Sequence, residues 1–261
     1  MSDNVIEVDG LSFRINNAQI LSQVSLSVER HEFVGLIGPN GSGKSTLLKH
    51  IYRHYQPGKA TVYLNGEDIA RKKPKEIARE MAVVAQENNP DFDFTVFEML
   101  MIARYAHKKI FDRDSRDDEE VCDRALAIVG LSDTKRRSFL SLSGGEKQRI
   151  YLAMAFAQES ELILLDEPTN HLDIGYQLSM MEVLRSFREK TVFTSVHDMN
   201  LAAWYCDRLL LLNHGKIIRV GTPEEVLTPE LIRNVFHVNA AVNRRPEDGR
   251  IQISYLSYIR S

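Results

Sequence analysis

Apolar and polar positions follow two different rhythms along the chain. Near the N-terminus they alternate, through Val5, Ile6 and Val8, then Leu11, Phe13 and Ile15, then Val24, Leu26 and Val28. A period of two predicts antiparallel strands with one buried face. Farther on, the apolar residues bunch into short unbroken runs at 33–37, 82–85, 162–165 and 191–195. Runs of that length predict central strands of a parallel sheet, covered on both faces. Helical periodicity lies between them. The stretch 45–55 places Leu47, Leu48, Ile51, Tyr52 and Tyr55 on one face and stops at Pro57-Gly58. From Thr95 to Gln158 the strand signal gives way to three helices, 96–106, 117–129 and 143–158. The pattern is therefore α/β, with an antiparallel appendage and a mostly helical subdomain at about 95–158 inserted into the core. Near the end, Thr222-Pro223 and Thr228-Pro229 each set a hydroxyl cap before a helix-opening proline, and 250–260 alternates like a strand.

Composition narrows the class without naming a function. The 261 residues are 43% hydrophobic and 26% charged, ordinary globular usage, and the net charge of -3 lacks the basic excess of a nucleic-acid binder. No apolar run approaches the ~20 residues that span a bilayer, and the first residues lack the charged and apolar regions of an export signal. The expectation is a soluble cytosolic protein. Cys122 and Cys206 are too few for a disulfide framework or zinc site, and are expected as buried thiols. The mixed-sign run 112–120 is expected as a solvated loop and helix start.

Three segments carry chemistry. Gly38-Pro39-Asn40-Gly41-Ser42-Gly43-Lys44-Ser45, followed by Thr46, has the spacing of a phosphate-binding loop between a strand and a helix. Its glycines let successive amide N–H groups turn toward phosphate oxygens; Lys44 adds a positive charge and the Ser45 hydroxyl can ligate Mg²⁺. The run 162–165 ends in Asp166-Glu167, two acids at the edge of a parallel sheet where α/β folds bind ligands. Asp166 is suited to Mg²⁺, and Glu167 to orienting and deprotonating an attacking water. Leu142-Ser143-Gly144-Gly145-Glu146 opens the third helix with a capping box between Ser143 and Glu146.

Together these three segments resemble the ATP-binding-cassette (ABC) ATPases, whose signature usually ends in Gln where this chain has Glu146. The resemblance runs from about Val5 to Val238 and implies a P-loop NTPase (RecA-like) core that binds ATP and Mg²⁺. It also implies roles at single positions. Gln86 matches the glutamine that senses Mg²⁺ and the permease, His197 the switch histidine at the γ-phosphate, and Asp173 the loop coupling two active sites. Ser143, Gly144, Gly145 and Glu146 match the helix start that reaches a partner's nucleotide. Two positions depart. The aromatic that stacks on adenine is replaced by Ile15, leaving either Ile15 or Phe13 to contact the base, and His31 stands where glycine is common.

Thr169 to Ile174, His197 to Ala203 and Gly221 to Leu227 look like the ATPases of iron–siderophore, haem and cobalamin importers. Ala103-Arg104-Tyr105-Ala106-His107 departs from the Gly-Arg-x-Pro-His of many members. The implied protein is one cassette over 1–240 with a C-terminal extension at 241–261. It would act as a homodimer at the cytoplasmic face of the membrane, with two permease subunits and, indirectly, a substrate-binding protein. The alternative is a soluble ABC ATPase acting on nucleic acid or ribosomes. The near-neutral charge and the absence of a second cassette weigh against it.

Overall fold

A computed structural model describes residues 3–85, 93–108, 114–170 and 172–259. The elements fall into three successive stretches of chain, 1–71, 72–189 and 190–261. In the first, β1 (Asn4–Ile15) and β2 (Ala18–Glu29) precede β3 (Phe33–Ile37), α1 (Lys44–Ile51), β4 (Val62–Leu64) and β5 (Glu67–Asp68). The second carries α2 (Pro74–Glu80), β6 (Met81–Val84), α3 (Val96–Arg104), α4 (Arg116–Ile128), α5 (Gly144–Ala157), β7 (Leu162–Leu165) and α6 (Ile174–Ser186). The third has β8 (Thr191–Ser195), α7 (Met199–Tyr205), β9 (Arg208–Asn213), β10 (Lys216–Gly221), α8 (Pro223–Val226), α9 (Pro229–Phe236), β11 (Val238–Arg244) and β12 (Ile251–Tyr258). Two compact units result, Met1–Arg71 with Lys190–Ser261, and Lys72–Glu189. Among the described residues no helix is long and apolar enough to cross a membrane.

The discontinuous unit holds both expected kinds of strand. β1 pairs antiparallel with β2 and β4, and its buried positions Val5, Ile6, Val8 and Leu11 come from the alternating stretch. β3 lies between β8 and β9, parallel to both, with β10 antiparallel at the edge of β9. Every residue of β3 and β8 is buried, which is why their sequences do not alternate. His31 sits in the turn before β3 at φ 61, a left-handed conformation that explains the glycine of similar sequences. A final hairpin, β11 with β12, packs against α7 and α9. β12 was expected; β11 was not, because its Asn- and Ala-containing sequence carries little strand signal.

The continuous unit pairs β6 parallel with β7 and packs α3, α4 and α5 together. Their apolar faces bury Leu100, Cys122, Leu126, Ile150 and Leu152. Both cysteines are buried thiols, as expected, and burial pushes the Cys122 thiol up to about 11.

The mixed-sign run is solvent-exposed at 114–117, 119 and 120 and opens α4, as expected, but the expectation fails at one position. Within the mixed-sign run, Arg116 is exposed but Asp118 is buried. Its carboxylate accepts from Arg104 Nε at 2.9 Å and lies 3.3 Å from Lys108 Nζ; both cations are also buried. Arg104 Nη1 further donates to the Ala157 carbonyl at 2.6 Å and to Glu159 at 2.7 Å. Charges that look solvated along the sequence thus meet in space, tying the end of α3 to the start of α4 and the end of α5. Burial works to raise the Asp118 pKa, but hydrogen bonds from Arg104, Ser115 and Lys108 outweigh it and hold the carboxyl well below the ordinary range.

Asp118→Ala leaves two buried cations without this partner and should cost ~3–5 kcal/mol, read as a lower urea midpoint. The folded pKa is depressed, so this stabilisation is complete above the ordinary aspartate value of ~3.9 and is withdrawn as pH falls below it. Acid titration should therefore show wild-type stability falling more steeply below about pH 4 than that of Asp118→Ala.

Candidate functional site

The phosphate loop joins β3 to α1 and is held by backbone contacts. Gly215, in the left-handed turn between β9 and β10, donates its N–H to the Ser42 carbonyl at 3.0 Å and accepts from Ser22 N at 2.8 Å. Ser42 N donates to Pro39 O at 3.2 Å, and Leu47 N to Gly43 O at 2.9 Å as α1 begins. Gly38 is obligatory for space, since a Cβ there would lie 2.1 Å from the Leu212 carbonyl oxygen. Gly43 is obligatory for conformation as well, at φ 107 with the Ile20 carbonyl 3.1 Å from a built Cβ. Lys44 is buried and donates to the carbonyls of Gly38 at 2.9 Å and Pro39 at 3.2 Å. The Ser42 hydroxyl is buried and has no hydrogen-bond partner among the described residues. A buried hydroxyl of this kind beside a glycine-rich loop fits an oxygen-rich ligand such as a phosphate chain. Ser45 and Thr46 lie in the first turn of α1, and the Thr46 carbonyl bonds His50 Nδ1 at 2.8 Å.

Near this loop, Phe13 is engaged within the protein. Its ring packs edge-on against His50 at 4.5 Å and stacks on Tyr55 at 5.3 Å. Ile15 stands exposed at the end of β1. Burial lowers the His50 pKa, with the Thr46 carbonyl opposing. In the same unit, His197 follows β8 and is exposed, with Asp198 behind it as the N-cap of α7.

In the other unit, Asp166 and Glu167 follow β7. Asp166 is buried, and its backbone N–H bonds Val84 O at 2.9 Å, so the neighbouring strand fixes it. Glu167 takes φ 53, a left-handed conformation strained for a side chain with a Cβ. Its carboxylate accepts from Asn170 Nδ2, and Asn170 N donates to the Glu167 carbonyl at 3.2 Å. Strain of this sort accumulates where a side chain must be aimed. Asp173 caps α6, accepting from Tyr176 N at 3.0 Å, and Gln177 braces the same segment by donating to Thr169 O and Leu172 O.

The 143–146 segment forms the expected capping box. Ser143 Oγ accepts from Glu146 N at 3.3 Å, and Glu146 accepts from Ser143 N at 2.8 Å. The Ser143 backbone N–H, chiefly, holds the Glu146 carboxyl below its ordinary pKa, and Arg137 lies 3.4 Å away. The extra negative charge is therefore turned back on its own helix start and toward a cation. Arg104 and His107, the two positions kept from the Gly-Arg-x-Pro-His pattern, both make structural bonds. Arg104 joins the Asp118 cluster, and His107 Nε2 donates to the Gln158 carbonyl at 2.6 Å. Gln86 lies outside the described residues.

The family model described as ABC transporter matches residues 21–170. The chain belongs to the ABC transporter family. It is 36% identical over 254 residues to the ferric enterobactin transport ATP-binding protein of Escherichia coli (strain K12), covering 95% of this chain and 94% of that one. It is 37% identical over 254 residues to a cobalamin import ATP-binding protein of Halobacterium salinarum (strain ATCC 29341 / DSM 671 / R1), covering 96% of this chain. The chain spans only about 63% of that relative's length. A solved chain from an inward-facing ABC transporter described as metal-chelate type superposes with a TM-score of 0.83 at 26% identity, covering 98% of each. The α/β cassette is thus a P-loop NTPase fold of the ABC type.

Sequence reasoning found the phosphate loop, the acidic strand end and the capping box because each is a local pattern. It missed the contacts that α7 makes with the C-terminal hairpin, about 50 residues away, for which only β12 itself gave a signal. Gly38→Ala should abolish nucleotide binding, since Leu212 is backbone that a side chain cannot displace. A fluorescent ATP analogue should bind the wild type and show no saturable binding to the variant.

Proposed function

We propose that this chain is the ATP-hydrolysing subunit of an ABC importer that powers uptake of a metal chelate, such as an iron–siderophore, haem or cobalamin complex. One observation carries the reading: a phosphate loop built to hold an oxygen-rich ligand, in a chain alike over nearly its whole length to a ferric enterobactin transport ATP-binding protein. Residues 1–240 act as one cassette with the helical subdomain at about 95–158, and 241–261 as an extension. The working form is a homodimer on the cytoplasmic face of a membrane, bound to two permease subunits that receive cargo from a substrate-binding protein.

The loop 38–46 grips the phosphates of ATP through its backbone N–H groups and Lys44, and Phe13 or Ile15 meets the adenine. Ser45, Asp166 and Gln86 supply the oxygen donors that Mg²⁺ prefers. When bound, the ion neutralises charge on the phosphate oxygens. Glu167 orients water and takes its proton, and His197 contacts the γ-phosphate. Ser143, Gly144, Gly145 and Glu146 of one copy complete the site of the other, and Asp173 couples the two. The alternative, action on nucleic acid, finds no support in the importer relatives or in the net charge of -3.

Glu167→Gln removes the base while keeping shape. It should bind ATP with wild-type affinity, lose turnover by ~10²–10⁴-fold and accumulate an ATP-bound dimer in sedimentation. Hydrolysis at the normal rate would refute the assignment. Stimulation of the wild type by a copurified permease, and none by nucleic acid, would support the importer.

A further inference from the structure

The hairpin β11–β12 lies beyond the matched family segment; β11 packs on α9, and β12 packs on α7, the helix that follows His197. α7 has seven residues. An isolated helix needs ~12–15 residues to persist in water, so α7 depends on what it packs against. Met199, Leu201, Ala202 and Tyr205 are buried on its inner side.

Asn200 and Trp204, one helical turn apart and so on one face, turn to β12 instead. Asn200 Oδ1 accepts from Ile253 N at 2.8 Å while its Nδ2 donates to Ile253 O at 3.2 Å. A carboxamide can do both at once, taking the place of a neighbouring strand's peptide group. Trp204 Nε1 donates to Ile251 O at 2.6 Å, and the Arg245 guanidinium lies 5.4 Å from its ring. The spacings agree, because four residues of helix rise ~6 Å and two of strand ~6.6 Å. Ile251 and Ile253 are themselves buried, so the clip is anchored. Two residues on, Tyr255 reaches the start of α7. Burial and the Asp198 carboxylate push its phenol pKa up, while the Met199 N–H opposes them.

The start of α7 matters because His197 immediately precedes its cap, Asp198. On one side, Val196 N donates to Leu36 O at 3.1 Å, fixing the end of β8. On the other, Asp198 accepts from Asn200 N at 2.7 Å and Leu201 N at 2.9 Å. Three residues, 196–198, bridge a rigid strand and a short helix. We propose that Asn200 and Trp204, held by the C-terminal hairpin, are positioning residues that set His197 for the γ-phosphate. This rests on the role given to His197 above.

The test is ATP hydrolysis by the full chain in its transporter. Asn200→Ala should lower kcat about five- to tenfold with KM for ATP within about twofold, the pattern of a lost transition-state contact. Trp204→Phe, which keeps an aromatic ring and loses the N–H, should give a smaller loss of the same kind and covers the case in which Asn200→Ala folds poorly. Both should speed amide exchange at 199–201. In a His197→Ala background, Asn200→Ala should change the residual single-turnover rate less than about twofold, since residues acting through one group are non-additive. Wild-type kcat in both single variants, or an equal fractional loss without His197, would overturn the proposal. If His197→Ala itself turns over normally, the role of His197 falls and this inference with it. If His197→Ala is impaired and Asn200→Ala is not, only the inference falls.

Discussion

A backbone carbonyl, that of Leu212, lies where a side chain at position 38 would be, and the nucleotide loop depends on that bare contact. Because Gly38 carries no Cβ, the loop can lie directly on β9, and the neighbouring turn can bond Ser42 through Gly215. That turn in turn accepts from Ser22 of β2. A single backbone-on-backbone approach therefore couples the loop to the parallel strands and to the antiparallel sheet. The loop's shape is set by elements more than 150 residues away in sequence, although its motif is eight consecutive residues.

Much of the fold was legible in the sequence where burial is complete. Phe33–Ile37, Leu162–Leu165 and Thr191–Ser195 form strands with the expected bounds, since unbroken apolar runs leave little choice of edge. The helices of the inserted region shift by a residue or two at their ends, where fraying and capping decide, while α1 stops at Ile51, four residues short of its expected end. What escaped was pairing between distant charges and amides. Asp118 lies among acids and bases that read as solvent-facing, and only the approach of α3 and α5 reveals it as buried. Asn200 carries no sign in one dimension that its amide completes a strand edge. Motifs advertise themselves when chemistry is local, whereas braces need the third dimension.

The Gly-Arg-x-Pro-His pattern shows the same distinction from the other side. This chain keeps Arg104 and His107 and carries alanine at the pattern's glycine and proline positions, 103 and 106. The two retained side chains are those that bond α4 and the residues at the end of α5. The pattern thus describes how the helical region holds together. It is weak guidance to cargo, which fits a division of labour in which other subunits would choose the cargo.

Glu167 has a further consequence. Its left-handed backbone conformation costs a residue with a Cβ about 1–3 kcal/mol, a cost that glycine would escape. The residue we assign as the base is thus one of the non-glycine residues that carry such a cost. Selection for thermal endurance alone would favour glycine at 167 and yield a sturdier protein that grips ATP without consuming it. On the assignment proposed for Glu167, it is demand for ATP turnover that would keep the strained glutamate in place, so a population released from that demand should lose its motor before it loses its fold.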